Sequence, residues 1–203
     1  MQNRNRRSFL FICIVVILVG CDKPRLQELG SSDVVVAFGD SLTAGLGVSQ
    51  DYSYPSVLSE LTGFKIVNSG VSGETTEEGL KRLPTVIEEH NPSLILLIEG
   101  GNDILRNKNY QHIEQNLGAM IQLARDRNIE VVLVGVPEKK LFSNAAPFYK
   151  ELAEKYDLPY EPKLIGRIMR SPSMKSDTVH FNKVGYKEMA KGIYDLLSEN
   201  GAF

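Results

Sequence analysis

Apolar positions along this 203-residue chain follow three rhythms. One is unbroken, from Phe9 to Val19, directly behind Arg4, Arg6 and Arg7. A second consists of short runs: Val34 to Phe38, Phe64 to Val67, Leu94 to Ile98 and Val131 to Val134. These runs read as strands, and the fully apolar Val34 to Phe38 as one buried in a parallel sheet. The third has helical spacing, at Tyr54, Val57, Leu58 and Leu61, then Leu80, Leu83 and Ile87, then Ile113, Leu117, Met120, Ile121 and Ala124, and last Met189, Ile193, Leu196 and Leu197. Pro55 suits a first helical turn. Pro84 falls inside its helical pattern and predicts a kink or a restart there. Residues 144–156 also read as helix, with a weak fifth strand expected near Leu158. Strands and helices therefore alternate, which predicts an α/β fold, a three-layer α/β/α sandwich with a parallel sheet of about five strands. No internal repeat and no second domain boundary is visible.

The unbroken run does not belong to that alternation. As a helix it spans about 16 Å, roughly half of a ~30 Å hydrocarbon core. A basic segment followed by such a run has the form of a secretory signal. It ends in Leu18-Val19-Gly20-Cys21, which resembles the bacterial lipobox, whose cysteine is lipidated and becomes the new N-terminus. The expected organisation is a signal peptide over 1–20, a lipidated N-terminus and polar tether over 21–32, and one folded domain over 33–203. Asp22 after the cysteine resembles a retention signal, so in a Gram-negative host the protein is expected on the periplasmic side of the inner membrane.

Removing the signal changes the totals. The first 20 residues carry three of the 23 basic residues and none of the 25 acidic ones, so the formal charge moves from −2 to −5. Neither value favours nucleic acid as a partner. Of the two cysteines, Cys13 leaves with the signal and Cys21 is assigned to lipid. No disulfide and no thiol chemistry is then available. The carboxylates and histidines lack metal-ligand spacing, and no phosphate-cradling glycine loop occurs, so neither a metal nor another cofactor is expected.

In parallel sheets, sites form at the carboxyl ends of strands. The polar clusters of this chain follow its apolar runs: Gly39-Asp40-Ser41, Asn68 to Gly73, and Gly100-Gly101-Asn102-Asp103. Ser41 sits in a strand-to-helix turn, where a serine alone is ordinarily an N-cap. As a nucleophile it needs a base and an oxyanion site. Gly39-Asp40-Ser41-Leu42-Thr43 is not the Gly-x-Ser-x-Gly elbow of an α/β-hydrolase. Of the three histidines, His90 and His112 read as surface residues of helices. His180 stands three residues after Asp177, before the last helix, a spacing that lets the carboxylate reach Nδ1 and leaves Nε2 for the serine. Asp40 and Asp103 read as acceptors for turn N–H groups. Glu99 and Arg82 are candidates for an ion pair between sheet and helix.

Taken in order, Gly-Asp-Ser41-Leu, Asn-Ser-Gly-Val-Ser-Gly73, Gly-Gly-Asn102-Asp and Asp177-x-x-His180 resemble the SGNH, or GDSL, hydrolase family over nearly all of 33–200. Val71 to Thr76 with Gly79-Leu80-x-Arg82-Leu83-Pro84, and Glu99 to Asp103, resemble its bacterial acyl-CoA thioesterase I, lysophospholipase L1 and arylesterase group. The resemblance implies a flavodoxin-like sandwich and a serine esterase that cleaves acyl esters or thioesters. It implies Ser41 as nucleophile, His180 as general base and acid, and Asp177 as its orienting partner. The implied oxyanion hole is the backbone N–H of Ser41 and Gly73 with the Asn102 amide. Phe181 departs from the family, where proline commonly follows the histidine, and an altered loop edge is expected.

The substrate would be a small acyl ester or a lipid. Segments 45–54, 106–110 and 138–148 are expected to border the site, with Leu105, Val136, Leu141, Phe142 and Phe148 as apolar surface for an acyl chain. The alternatives are an O-acetylesterase for acetylated carbohydrate and a non-catalytic anchored lipoprotein.

Overall fold

Five parallel strands stand side by side in the order β2-β1-β3-β4-β5. They are β1 (Val34–Gly39), β2 (Lys65–Gly70), β3 (Leu94–Ile98), β4 (Glu130–Val134) and β5 (Tyr160–Glu161). This is a computed structural model that describes residues 26–140 and 143–203. The expected signal, Cys21 and the apolar pair Leu141 and Phe142 lie outside the described residues. The helices are α1 (Ser41–Ala44), α2 (Tyr54–Thr62), α3 (Thr76–His90), α4 (Gly101–Leu105), α5 (Tyr110–Arg125), α6 (Pro147–Tyr156), α7 (Leu164–Met169) and α8 (Lys183–Glu199). α2 and α7 pack on α8, while α3 and α6 pack on α5, so two helical layers enclose the sheet. The α/β sandwich expected from the alternation is the observed architecture.

All five residues of β3 are buried, as an unbroken apolar run in a covered parallel sheet should be. Each such side chain contributes about 1.5–3 kcal/mol on burial. The register places the ends of three strands level. Gly39 of β1 faces Gly70 of β2 on one side and Ile98 of β3 on the other. The segments that follow, 40–41, 71–76 and 99–103, therefore leave the sheet along one edge. Strand order reverses there between β1 and β3, the switch point at which open α/β sheets form their crevice. Gly70 has no room for a Cβ, which would strike the backbone of Thr43 and Ala44. That close approach presses the β2 exit against α1.

Three expectations change. α3 continues through Pro84 without interruption. One missing ladder bond is outweighed by the Thr75–Glu78 capping box and by Leu83, Val86 and Ile87 buried on either side. The fifth strand falls at Tyr160–Glu161, and the helix expected from 144 begins at Pro147. From Leu26 onward, the stretch expected as a tether docks on the domain. Leu26 N–H donates to the Asn200 carbonyl and Leu29 N–H to that of Ala202, both at 2.8 Å, and both leucines are buried. Among the described residues, no helix is long and apolar enough to cross a membrane.

Candidate active site

Ser41 opens α1 immediately after β1. Asp40 caps that helix, its Oδ1 accepting from the Leu42 N–H at 2.9 Å. This is the scaffolding role expected of it. Burial pushes the Asp40 carboxyl up to about 6, against the downward pull of the Leu42 N–H and the His180 charge.

The 175–182 loop brings the histidine across. Lys175 and Phe181 form an antiparallel bridge, and Ser176 N–H donates to the His180 carbonyl at 3.0 Å. Inside this tight turn, Asp177 Oδ1 accepts from the N–H groups of Val179 and His180, both at 2.7 Å. Its Oδ2 lies 2.7 Å from His180 Nδ1, and His180 Nε2 lies 3.1 Å from Ser41 Oγ. The His180 N–H above all, then its ring and the Val179 N–H, hold the Asp177 carboxyl well below the usual carboxylate range. An ionised Asp177 keeps the proton on Nδ1 and leaves the Nε2 lone pair facing the serine hydroxyl.

Two residues fix this loop. Phe181 is wholly buried and meets Tyr186 edge to face, with centroids 5.5 Å apart. The phenylalanine is thus a core residue of the loop, and the Asp-x-x-His spacing beside it is intact. Asn182 was not singled out by sequence reasoning. Its Oδ1 caps α8 through the N–H groups of Val184 and Gly185, and its Nδ2 donates to the Ser173 and Lys175 carbonyls. The legible signal was an asparagine just before an amphipathic helix.

The residues expected to form the oxyanion hole come from the other two strand ends. Val71 N–H donates to the Gly39 carbonyl at 2.9 Å, tying the β2 exit to β1. Gly73 has φ +82°, a backbone state that a side chain disfavours, and its carbonyl accepts from Arg106 at 3.0 Å. Asn102 Nδ2 donates to the Glu74 carbonyl at 3.0 Å and to Asp40 Oδ2 at the longer distance of 3.3 Å. The longer of the two contacts is the weaker. Asn102, Ser41 and His180 line one cavity, and Gly73 stands outside its lining.

Behind these donors lies an ionic cluster. Asp103 accepts from the backbone and hydroxyl of Thr76, as expected of a scaffold. Arg82 does not pair with Glu99. It forks both oxygens of Glu74 at 2.6 and 2.7 Å, reaches the Ser69 hydroxyl and carbonyl, and lies over the Phe38 ring at 4.1 Å. Glu74 lies one loop from α3 and so nearer than Glu99, which is sealed at the end of β3. His90 and His112 lie on α3 and α5, outside the cavity.

The cavity has a volume of about 460 Å³ and a largely apolar wall. Leu105 and Val136 line it as expected, joined by Leu42, Ile104, Met169 and Val179. Phe148 does not reach it, since it is buried against Tyr149 and Tyr110. Residues 138–140 border the cavity, but the 45–54 segment lines a different surface.

The family model described as the GDSL-like lipase/acylhydrolase family matches residues 37–188. Thioesterase 1/protease 1/lysophospholipase L1 of Escherichia coli is 32% identical over 161 residues, covering 75% of this chain and 77% of its own. The crystal structure of AlinE4, an SGNH-hydrolase family esterase, superposes with a TM-score of 0.66 at 32% identity, covering 85% of this chain and 98% of its own. A more distant relative, the uncharacterized lipoprotein YqeF of Bacillus subtilis, is 26% identical over 144 residues, covering 64% of this chain and 56% of its own.

Proposed function

The chain belongs to the GDSL-like lipase/acylhydrolase family and is a serine-type ester hydrolase, and from that premise we propose that Ser41, His180 and Asp177 carry its chemistry on medium or long acyl esters and thioesters. The observation that carries this reading is the continuous chain of contacts from Asp177 through His180 to Ser41.

Ser41 Oγ attacks the acyl carbonyl while its proton passes to His180 Nε2. Asp177 stabilises the imidazolium and holds its tautomer. The carbonyl oxygen becomes an oxyanion, received by the N–H groups of Ser41 and Gly73 and by the Asn102 amide. The tetrahedral intermediate collapses as His180 gives the proton to the leaving alcohol or thiol. Water then enters, His180 takes its proton, and a second collapse frees the acid and restores Ser41. The apolar cavity beside Ser41 is larger than an acetyl group requires, which favours acyl chains over sugar acetates.

The test compares hydrolysis of p-nitrophenyl esters from acetate to palmitate, a lysophospholipid and an O-acetylated sugar. Turnover should rise beyond acetate and vanish in Ser41→Ala, with a loss of about 10⁴-fold or more. Unchanged turnover in Ser41→Ala sinks the assignment, and preference for the sugar acetate overturns the substrate class.

We extend the proposal to the envelope: residues 1–20 export the chain and Cys21 carries lipid, on the periplasmic side of the inner membrane. Only residues 22–25 separate that cysteine from the docked Leu26, a reach of at most about 18 Å. The docked segment meets Glu130 at the start of β4 and the end of α8, whereas the cavity opens at the far ends of the strands. An anchored enzyme would thus present its mouth away from its own bilayer, to substrates arriving through water. Cys21→Ser should move the protein from the membrane to the aqueous fraction, and a variant that still sediments with membranes refutes lipid anchoring.

A further inference from the structure

Four carboxyl groups converge behind Asn102, those of Asp40, Glu74, Glu99 and Asp103, and all are buried. Three are well partnered. Asp40 accepts from Leu42 and Asn102, Asp103 from Thr76 with Lys108 at 3.5 Å, and Glu74 is forked by Arg82. Glu99 differs. Its side chain is wholly buried at the end of β3, and its Oε2 accepts from the Gly100 N–H alone, at 3.1 Å. Its Oε1 faces no N–H or O–H donor among the described residues. The group within hydrogen-bond reach of its carboxyl is the carboxyl of Glu74.

Two ionised carboxyl groups cannot hold that approach in a dry interior. One must keep its proton. Arg82 occupies both oxygens of Glu74, as an arginine fork does on a carboxylate, which leaves the proton to Glu99. The other groups facing Glu99 offer its carboxylate nothing. Asp40, at the β1–α1 turn, adds like charge, and Tyr149, from α6, gives its hydroxyl to the Glu99 backbone carbonyl at 2.5 Å.

We propose that Glu99 is kept as the neutral acid and donates its O–H to Glu74, and that this bond positions the Asn102 amide for the oxyanion. The connection is short. The Glu74 backbone carbonyl orients Asn102 Nδ2 at 3.0 Å, and Asn102 follows Glu99 by three residues in the same turn. A proton between Glu99 and Glu74 draws the two segments together and fixes both ends of the Asn102 bond. An ionised Glu99 would repel Glu74 and spread them. Burial, with the nearby Asp40 and Glu74 charges, holds the Glu99 carboxyl well above its ordinary value, in keeping with this assignment. Glu99 touches no reacting atom and is a positioning residue. Its catalytic effect rests on the reading of Asn102 as an oxyanion donor.

Infrared difference spectra of the whole protein against Glu99→Gln test the proton directly. They are best taken at pH 8, where Asp40 is ionised. The protonated-carboxyl carbonyl band should be present in the wild type and lost in the variant. In ester hydrolysis, Glu99→Gln supplies an amide N–H to Glu74 and should keep kcat within about threefold. Glu99→Leu supplies nothing and should lower kcat by about ten- to a hundredfold with KM within twofold, less than the loss of a whole oxyanion donor. An unchanged infrared band in Glu99→Gln overturns the protonation. Full kcat in Glu99→Leu, or a Gln variant as impaired as the Leu variant, overturns the positioning role. If Glu99→Leu does not fold, the band and the Gln rescue still decide. The spectrum needs no turnover, so a failed Ser41 assignment stays separable from a failed Glu99 assignment.

Discussion

Asp177 stands in the 175–182 loop with its side chain 54% exposed, while Glu99 lies behind Asn102 with no surface in water. Asp177 receives two backbone N–H groups and an imidazole, and its carboxyl is held down and ionised. Glu99 receives one N–H and faces another acid, and its carboxyl is pushed up and neutral. Hydrogen-bond donors pull the first down, while burial, with like charges beside it, pushes the second up. The division suits the chemistry proposed for each side. The proton-transfer side needs a negative partner for a histidine that becomes cationic. The oxyanion side gains from a floor with less negative charge, because charge there opposes the one forming on the substrate.

The strongest way to break the comparison is Asp177→Asn. The amide retains the shape of the loop but cannot hold an imidazolium or enforce the Nδ1–H tautomer. We expect kcat to fall by about 10⁴-fold, with thermal stability changed by less than about 1 kcal/mol because the side chain is half in water. A fall under tenfold would mean that the triad as drawn is not the operating one. The acid range supplies a companion. The Asp177 carboxyl is lowered in the folded state, so its stabilising contribution is complete above about pH 4 and is lost as pH falls below that. The variant should flatten that part of the stability curve.

The opposite profile belongs to the buried floor. Arg82→Met keeps an unbranched apolar stem over Phe38 but leaves Glu74 without its cation. Removing one partner of a buried pair costs about 3–5 kcal/mol, and the partial exposure of Arg82 places this pair at the lower end. Stability measured by denaturant should drop by about 3 kcal/mol. KM for the longest ester should hold, because Arg82 is not part of the acyl cavity. A loss below 1 kcal/mol would show that Glu74 does not depend on this arginine for its charge.

How much of this was readable follows the same division. Asp177 and His180 are close in sequence and connect through one turn, so their relation was visible in the chain. That the polar clusters holding Ser41, Gly73 and Asn102 would share one edge was visible because each follows a strand, while their separate roles came from the family resemblance alone. The partner of Arg82 was not visible, because Glu74 and Glu99 are both acids within reach and only the packed geometry chooses. Met169 was missed because α7 has six residues, too few for a helical period to emerge from composition. Leu26 and Leu29 were read as tether because two leucines in a polar stretch show no pattern until the end of α8 covers them. At Pro84 no restart occurs, because the packing of its neighbours keeps the helix continuous.

The finest test lies on the boundary between the two regions, at Asp40, which caps the nucleophile's turn and touches the Asn102 amide. Its carboxyl rises from 3.8 to about 6 on folding, with burial as the main cause. Between those values the folded state binds more protons than the unfolded one. Stability due to Asp40 therefore falls as pH rises from about 4 to 6. Over the whole window the decline is about 2–3 kcal/mol, shared with the neighbouring Glu74 and Asp103 carboxyls. Asp40→Asn keeps an acceptor for the Leu42 N–H but has no charge to bury. Any constant offset between the two proteins reports the altered contact with Asn102, whereas the difference in slope reports the charge. Urea denaturation at pH 4, 5, 6 and 7 should show the stability of the variant gaining on the wild type through that range and running parallel above it. Parallel curves throughout would mean that Asp40 ionises as an exposed aspartate does, and that the neutral floor stops at Glu99.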